Sequence, residues 1–269
     1  MLDILVIIKG IWFFVVGACL GSFAGVVVTR QGKLFDGASR SHCDYCQSKL
    51  TWFDNLPIFS FFWLRGHCRF CHRKISRQYP VMEMIFGLIF VAIAWRVGFL
   101  TELTNSQTLI YTIFQLTIAF ILLTIAWWDW REMIIPDELV FSGWLLAFFW
   151  SSYQYFHSPR SLLDIHSPLT ANFMGALLIG GLFYLLFSWS RGRWLGGGDV
   201  KLGFFLGFLV GWQNVYWLLV LAYILSALWA LWLLARKKAT RKTRIPFGPF
   251  LIAAYFLVFL LGDFWRVFF

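Results

Sequence analysis

The chain has 269 residues, of which 60% are hydrophobic, 21% aromatic and only 13% charged, with a formal net charge of +10 and a mean hydropathy of +0.71. An ordinary soluble domain is about a quarter charged and far less apolar, so these values exclude one and place the chain in a bilayer. The apolar runs are long and continuous, which disfavours a β-barrel and leaves the α-helix as the structure that satisfies its own backbone in hydrocarbon.

In chain order, runs near 4–28, 82–100, 108–128, 139–155, 169–189, 200–212, 215–235 and 250–268 approach or exceed the length of about 20 apolar residues that a spanning helix requires. They predict an all-α polytopic protein of eight transmembrane helices. The sixth run is short, and Gly211, Gln213 and Asn214 divide it from the seventh, so one long kinked helix and a count of seven form the alternative. The first run lacks a strongly basic leading region and continues through Gly21, Ser22 and Gly25, and it is expected to stay in the mature protein as a membrane helix. Three parts follow: residues 1–29 as the first helix, 30–80 as a hydrophilic domain and 81–269 as the main membrane domain.

Basic residues set the expected orientation. Nine of the 23 Lys and Arg residues lie between the first two runs, and 19 of the 23 fall on one face if eight spans alternate strictly. Only Lys9, Arg96, Arg160 and Arg266 fall on the other. The positive-inside rule puts the first set in the cytosol and both termini outside it. The charge reads as topology plus attraction to anionic headgroups; no motif for reading nucleic acid is present, and none is expected as a partner.

The 30–80 domain contains Cys43, Cys46, Cys68 and Cys71, two CxxC pairs separated by 21 residues. A two-residue spacer lets both thiolates of a pair reach one tetrahedral zinc, and two pairs close a four-sulfur shell with no open position, so a structural zinc is expected. A reducing cytosol opposes the competing reading of paired disulfides. His42, His67 and His72 adjoin the cysteines but are not needed as ligands. Cys19, inside the first run, reads as a small apolar residue. A domain of about 50 residues has little core of its own, and a bound metal compensates.

Carboxylates at membrane depth are costly and need a reason. Glu83, Asp129, Glu132, Asp137, Glu138 and Asp199 are the candidates. Asp129 ends the third run and Asp199 follows Gly196-Gly197-Gly198 at the head of the sixth, on the same predicted face. Two carboxylates sharing a proton are the working parts of an aspartyl peptidase: the ionised one takes a proton from water while the protonated one polarises the scissile carbonyl. The helix dipole favours charge on Asp199, near an N-terminus, and so expects Asp129 to hold the proton. Trp127, Trp128 and Trp130 read as interfacial anchors. Glu83, just inside the second run, has no such ordinary role.

These motifs together resemble the leader peptidases that process type IV prepilins and type II secretion pseudopilins. GSFAGVVVTR at 21–30 is similar to the family's GSFxNVVxxR, with Gly25 where the family usually has Asn. LPIFSFFWLRGHCRFC, ISRQYPVMEM, D-x5-IPD from Asp129 to Asp137, GGGDVK at 196–201 and PFGPF at 246–250 follow in the family's order. The resemblance implies an inner-membrane aspartyl endopeptidase with Asp129 and Asp199 as its catalytic pair and Asp137 as runner-up for the first. It implies prepilin or pseudopilin substrates, cut after a glycine on the cytosolic side. It also implies N-methylation of the new terminus from S-adenosylmethionine, for which Glu83, as candidate cofactor-binding residue, and the cysteine loop are the places to look. A proton-coupled transporter and an assembly scaffold are the competing function classes.

Overall fold

A computed structural model describes residues 2–29, 42–43, 45–100, 105–157, 164–237, 240 and 243–262, and their regular structure is helical apart from two isolated β-bridges. In chain order the helices are α1 Leu2–Thr29, α2 Phe59–Trp63, α3 Gln78–Arg96, α4 Ser106–Glu132, α5 Asp137–His157, α6 Pro168–Ser190, α7 Gly197–Val210, α8 Val215–Ala235 and α9 Gly248–Leu260. Short 3-10 turns occupy Trp52–Asn55 and Trp212–Asn214. Each of the eight predicted runs forms a separate helix. The end of the eighth, beyond residue 262, lies outside the described residues.

Among the described residues, five segments are long and apolar enough to cross a membrane: Ile4–Thr29, Gln78–Arg96, Ser106–Glu132, Pro168–Ser190 and Trp212–Ala235. The chain is therefore a multi-pass membrane protein by its own helices. α7 has 14 residues and reaches about 21 Å, short of a hydrocarbon core of about 30 Å. It stops because Gly211 adopts φ +68° and ψ 167°, a conformation open to glycine but not to side chains with a Cβ, and the Trp212–Asn214 turn then leads into α8.

The chain divides into two compact units, 1–120 and 121–269. In the first, α1 packs along α3. A Cβ on Gly17 would stand 2.7 Å from the carbonyl oxygen of Phe86, so only glycine lets the two backbones approach this closely, as small residues do between membrane helices. Lys9, on a membrane-spanning helix, donates to the Phe99 carbonyl (3.0 Å) just beyond the end of α3, an arrangement that keeps its charge satisfied.

In the second unit, α6 and α7 form the tightest pair. Gly175 and Gly207 touch backbone to backbone, and Ile179, Phe183, Phe205 and Leu206 are fully buried. Side chains cannot intervene where the two glycines meet, so this contact fixes the height of α7 relative to α6. Trp127 corrects the expectation of an interfacial anchor: it is 2% exposed and belongs to the core. Trp130 does face outward, edge-on to Trp229 and Phe250 with ring centroids 5.4 and 6.3 Å away.

Candidate functional site

Asp129 lies in the last turn of α4, which continues to Glu132, beyond the boundary the hydropathy pattern predicts. Its side chain is buried. Its Oδ2 accepts a hydrogen bond from the backbone N–H of Gly248 (3.1 Å), the first residue of α9. A Cβ on Gly248 would come within 2.6 Å of that oxygen. The PFGPF segment thus presents a bare helix N-terminus to a carboxylate 119 residues earlier in the chain, which gives its central glycine a physical reason.

Asp199 is the third residue of α7 and folds back to accept the N–H of Gly196, the N-cap, at 3.1 Å. That is the carboxylate half of a capping box. Asp199 stands within electrostatic reach of Asp129. Two carboxylates thus converge within the second unit, each held by a glycine amide. The helix dipole no longer singles out Asp129 as the proton holder, because both side chains accept from a helix N-terminus: Asp199 from its own helix and Asp129 from α9, whose approach the sequence does not reveal.

Asp137 behaves differently. It begins α5, is largely exposed, and both its oxygens accept from Lys201 Nζ at 2.7 Å. Lys201 lies two residues after Asp199, and a Cβ on Gly198 would stand 3.1 Å from Cβ of Ile135. The D-x5-IPD and GGGDVK motifs therefore meet twice, through an ion pair and through Ile135 packed on Gly198, and both contacts brace the turn that carries Asp199. Glu132 and Glu138 are exposed.

In the first unit, the Sγ atoms of Cys43, Cys46, Cys68 and Cys71 all lie within 4.8 Å of one another, and Cys43 and Cys71 are 3.9 Å apart. Tetrahedral metal–sulfur bonds of about 2.3 Å require sulfurs about 3.8 Å apart, so the cluster can hold a metal such as zinc. The two pairs are structural copies. Cys43 N–H donates to Ser48 O and Gln47 N–H to Cys43 O; Cys68 N–H donates to Arg73 O and His72 N–H to Cys68 O. Gln47 and His72 both take positive φ, +57° and +54°, and the bridges His42–Lys49 and His67–Lys74 close the two loops. The repeat H-C-x-x-C-x-x-K, legible as HCDYCQSK and HCRFCHRK, is the signal that the spacing of the cysteines alone leaves out. His67 Nδ1 lies 2.7 Å from the Arg65 carbonyl, outside the sulfur cluster.

The thiols are not equivalent. The Ser48 hydroxyl and backbone N–H lower Cys46 to about 6. Although the Arg73 N–H opposes it, burial together with the three other sulfurs pushes Cys71 up to about 11. Four sulfurs this close cannot all ionise without a cation among them.

Glu83 is 7% exposed. Its Oε2 accepts from the N–H of Ile58 at 2.7 Å, and the Ser22 hydroxyl of α1 donates to the same carboxylate. Ile58 has φ +62° and ψ −52°, a rare conformation for a β-branched residue, and Phe59 N–H closes a tight turn across it onto Pro57 O (2.5 Å). Glu83 thereby ties α3 to α1 and to the start of α2.

Comparisons with known proteins agree with this division. The bacterial peptidase A24 N-terminal domain matches residues 15–97, and the type IV leader peptidase family matches residues 116–231. A prepilin leader peptidase/N-methyltransferase of Vibrio cholerae is 30% identical, the alignment covering 93% of this chain and 95% of that protein. Proteins of the same description from Pseudomonas putida, 30% identical over 89% of this chain and 78% of theirs, and Aeromonas hydrophila, 29% identical over 83% and 72%, are similar as well. No solved structure matches the chain.

Proposed function

From the premise that the chain belongs to the prepilin leader peptidase/N-methyltransferase family, we propose that it is an aspartyl endopeptidase that removes the basic leader of type IV prepilins or type II secretion pseudopilins, with Asp129 and Asp199 as the reacting pair. Two buried or helix-capping carboxylates within reach of one another, each held by a backbone amide, carry this assignment. One of the two is ionised and takes a proton from a water molecule lying between them. The hydroxyl adds to the scissile carbonyl while the protonated partner gives its proton to the carbonyl oxygen. Collapse of the tetrahedral adduct breaks the C–N bond: the proton held by the first carboxylate passes to the leaving amine, and a hydroxyl proton of the adduct returns to the second carboxylate. The glycine amides orient both carboxylates without adding a third acid or base.

Asp137 is a positioning residue in this scheme: its pairing with Lys201 braces the GGGDVK turn. The positive-inside bias supports eight spans, both termini outside the cytosol and cleavage at the cytosolic face of the inner membrane. The cysteine cluster is assigned to a structural zinc that joins two otherwise separate loops of the 30–80 domain. S-adenosylmethionine, when bound, supplies an electrophilic methyl group for the new N-terminus. A carboxylate offers about four acceptor positions and Glu83 uses two, so the residue retains capacity for a ribose hydroxyl or an amino group, and we assign it to the methyl-donor site.

Asp129→Asn and Asp199→Asn, each purified and incubated with a prepilin, test the central assignment. Loss of leader removal by at least about a thousandfold in each single variant is expected, since neither carboxylate works alone. Undiminished cleavage by either variant would instead favour the transporter or scaffold readings. Mass spectrometry of the same product reports the cut site and the methyl group together.

A further inference from the structure

The domain between α1 and α3 exposes aromatic side chains densely. Trp52, Phe62 and Trp63 are 68, 67 and 72% exposed, and Phe53 and Phe59 are more than half exposed. Trp52 stacks on Phe53 with centroids 3.5 Å apart, Phe59 stacks on Trp63 at 5.8 Å, and α2 packs against the Trp52–Asn55 turn. The rings therefore cluster on two adjoining elements as an exposed apolar face of the kind that marks an interaction site.

The backbone fixes the height of this face. At its start, Ile58 N–H donates to Glu83 (2.7 Å), which lies five residues inside α3, roughly 7–8 Å along the helix axis. At its end, Ile75 N–H donates to the Gly66 carbonyl (2.8 Å), just ahead of the first residue of α3. α2 is thus held beside the first turns of a membrane-spanning helix. From that level onward α3 also turns apolar side chains outward, Val81, Met84 and Ile85. Residues 42–77 contain six basic side chains against two acidic ones. One of those acids, Asp54, caps the Trp52–Asn55 turn and pairs with Arg69 at 2.8 Å, while Arg65, Lys74 and Arg77 are exposed and Arg73 lies over the Tyr45 ring, 4.7 Å from its centroid.

We infer that the aromatic face of residues 52–63 is a membrane anchor seating the cysteine domain on the leaflet where α3 enters the bilayer, its rings among the headgroups and its exposed arginines and lysine on anionic phospholipid. Tryptophan beside arginine at this depth is the composition that partitions into the interfacial zone, and basic residues near the surface add attraction to anionic lipid. Such an anchor requires α3 to span the membrane and does not depend on the peptidase assignment.

The test uses the full chain in vesicles of phosphatidylethanolamine and phosphatidylglycerol, with p-benzoylphenylalanine in place of Trp63, of Trp52 or, as a comparison within the first cysteine loop, of Tyr45. After illumination, mass spectrometry should find lipid adducts at 63 and 52 at least five times more often than at 45. Phosphatidylglycerol should be over-represented at least twofold relative to its share of the bilayer. Equal yields at the three positions, no lipid adduct, or adducts in proportion to bulk composition would overturn the inference. So would adducts to an added prepilin in place of lipid, which would make the face a substrate-docking surface. Because a photoreactive residue can disturb its site, Trp63→Ser provides a second reading: trypsin should cut at Arg65 and Arg69 at least tenfold faster in vesicles than in the unaltered protein, and an unchanged rate counts against the anchor.

Discussion

Asp129 is conspicuous in the sequence because an acid at the end of an apolar run needs an explanation, but its partner on the main chain is not, because nothing in the local sequence links position 129 to position 248. That link yields a sharp expectation. Gly248→Ala would drive a methyl group to within 2.6 Å of the Asp129 carboxylate, displacing it by an ångström or so. Misplacement on this scale costs about a hundredfold in rate. Leader cleavage should fall by that order while the melting temperature moves little, which separates lost positioning from lost fold. Asp137→Ala and Lys201→Ala test the runner-up role. Their ion pair is exposed, exposed pairs contribute about 0–1 kcal/mol, and each variant should keep activity within about tenfold of the unaltered protein. A loss as deep as that of Asp129→Asn would return Asp137 to the catalytic pair.

Among the elements, the two cysteine loops are readable from spacing, since CxxC needs no knowledge of the fold to bring two sulfurs together. Their copying of one another is also written in the repeat H-C-x-x-C-x-x-K, and the matching hydrogen bonds Cys43–Ser48 and Cys68–Arg73 give that repeat its physical content. If a metal closes both loops, chelation or Cys68→Ser should make the 42–77 segment at least tenfold more sensitive to trypsin, with residual leader cleavage still detectable because Asp129 and Asp199 belong to the other unit. The strained turn at Ile58 is not foreseeable, because β-branched residues avoid positive φ and the sequence offers an ordinary Leu-Pro-Ile there. Glu83→Ala would leave the part-buried Ile58 amide without its acceptor and should cost about 1–3 kcal/mol in stability of this unit, read from the shift in its denaturation midpoint. Glu83→Gln, which retains an acceptor oxygen, should recover most of the loss. Gly207→Leu should be far more damaging than either, since its side chain would have to enter the backbone contact with Gly175.

For the whole molecule, hydropathy locates every long helix to within a few residues, because burying apolar surface in lipid and pairing the backbone internally leave few alternatives. What it does not resolve is depth. Trp127 reads like an interfacial ring but is core, since the periodicity of an all-apolar helix does not tell its lipid face from its protein face. Cysteine-accessibility labelling or reporter fusions should place the segments after α3 and α5 outside the cytosol and the basic segment after α8 inside it. Fusions placing the 240–247 segment and the 42–77 segment on opposite sides would defeat the eight-span arrangement.

Both carboxylates proposed to react are gripped by peptide nitrogens, and no side chain makes either hydrogen bond. Added bulk can push a carboxylate off its amide, as Gly248→Ala would, but no exchange of one side chain for another removes the donor itself. To weaken one of them selectively, a chemist would have to edit the main chain itself, replacing the amide that precedes position 196 or 248 by an ester.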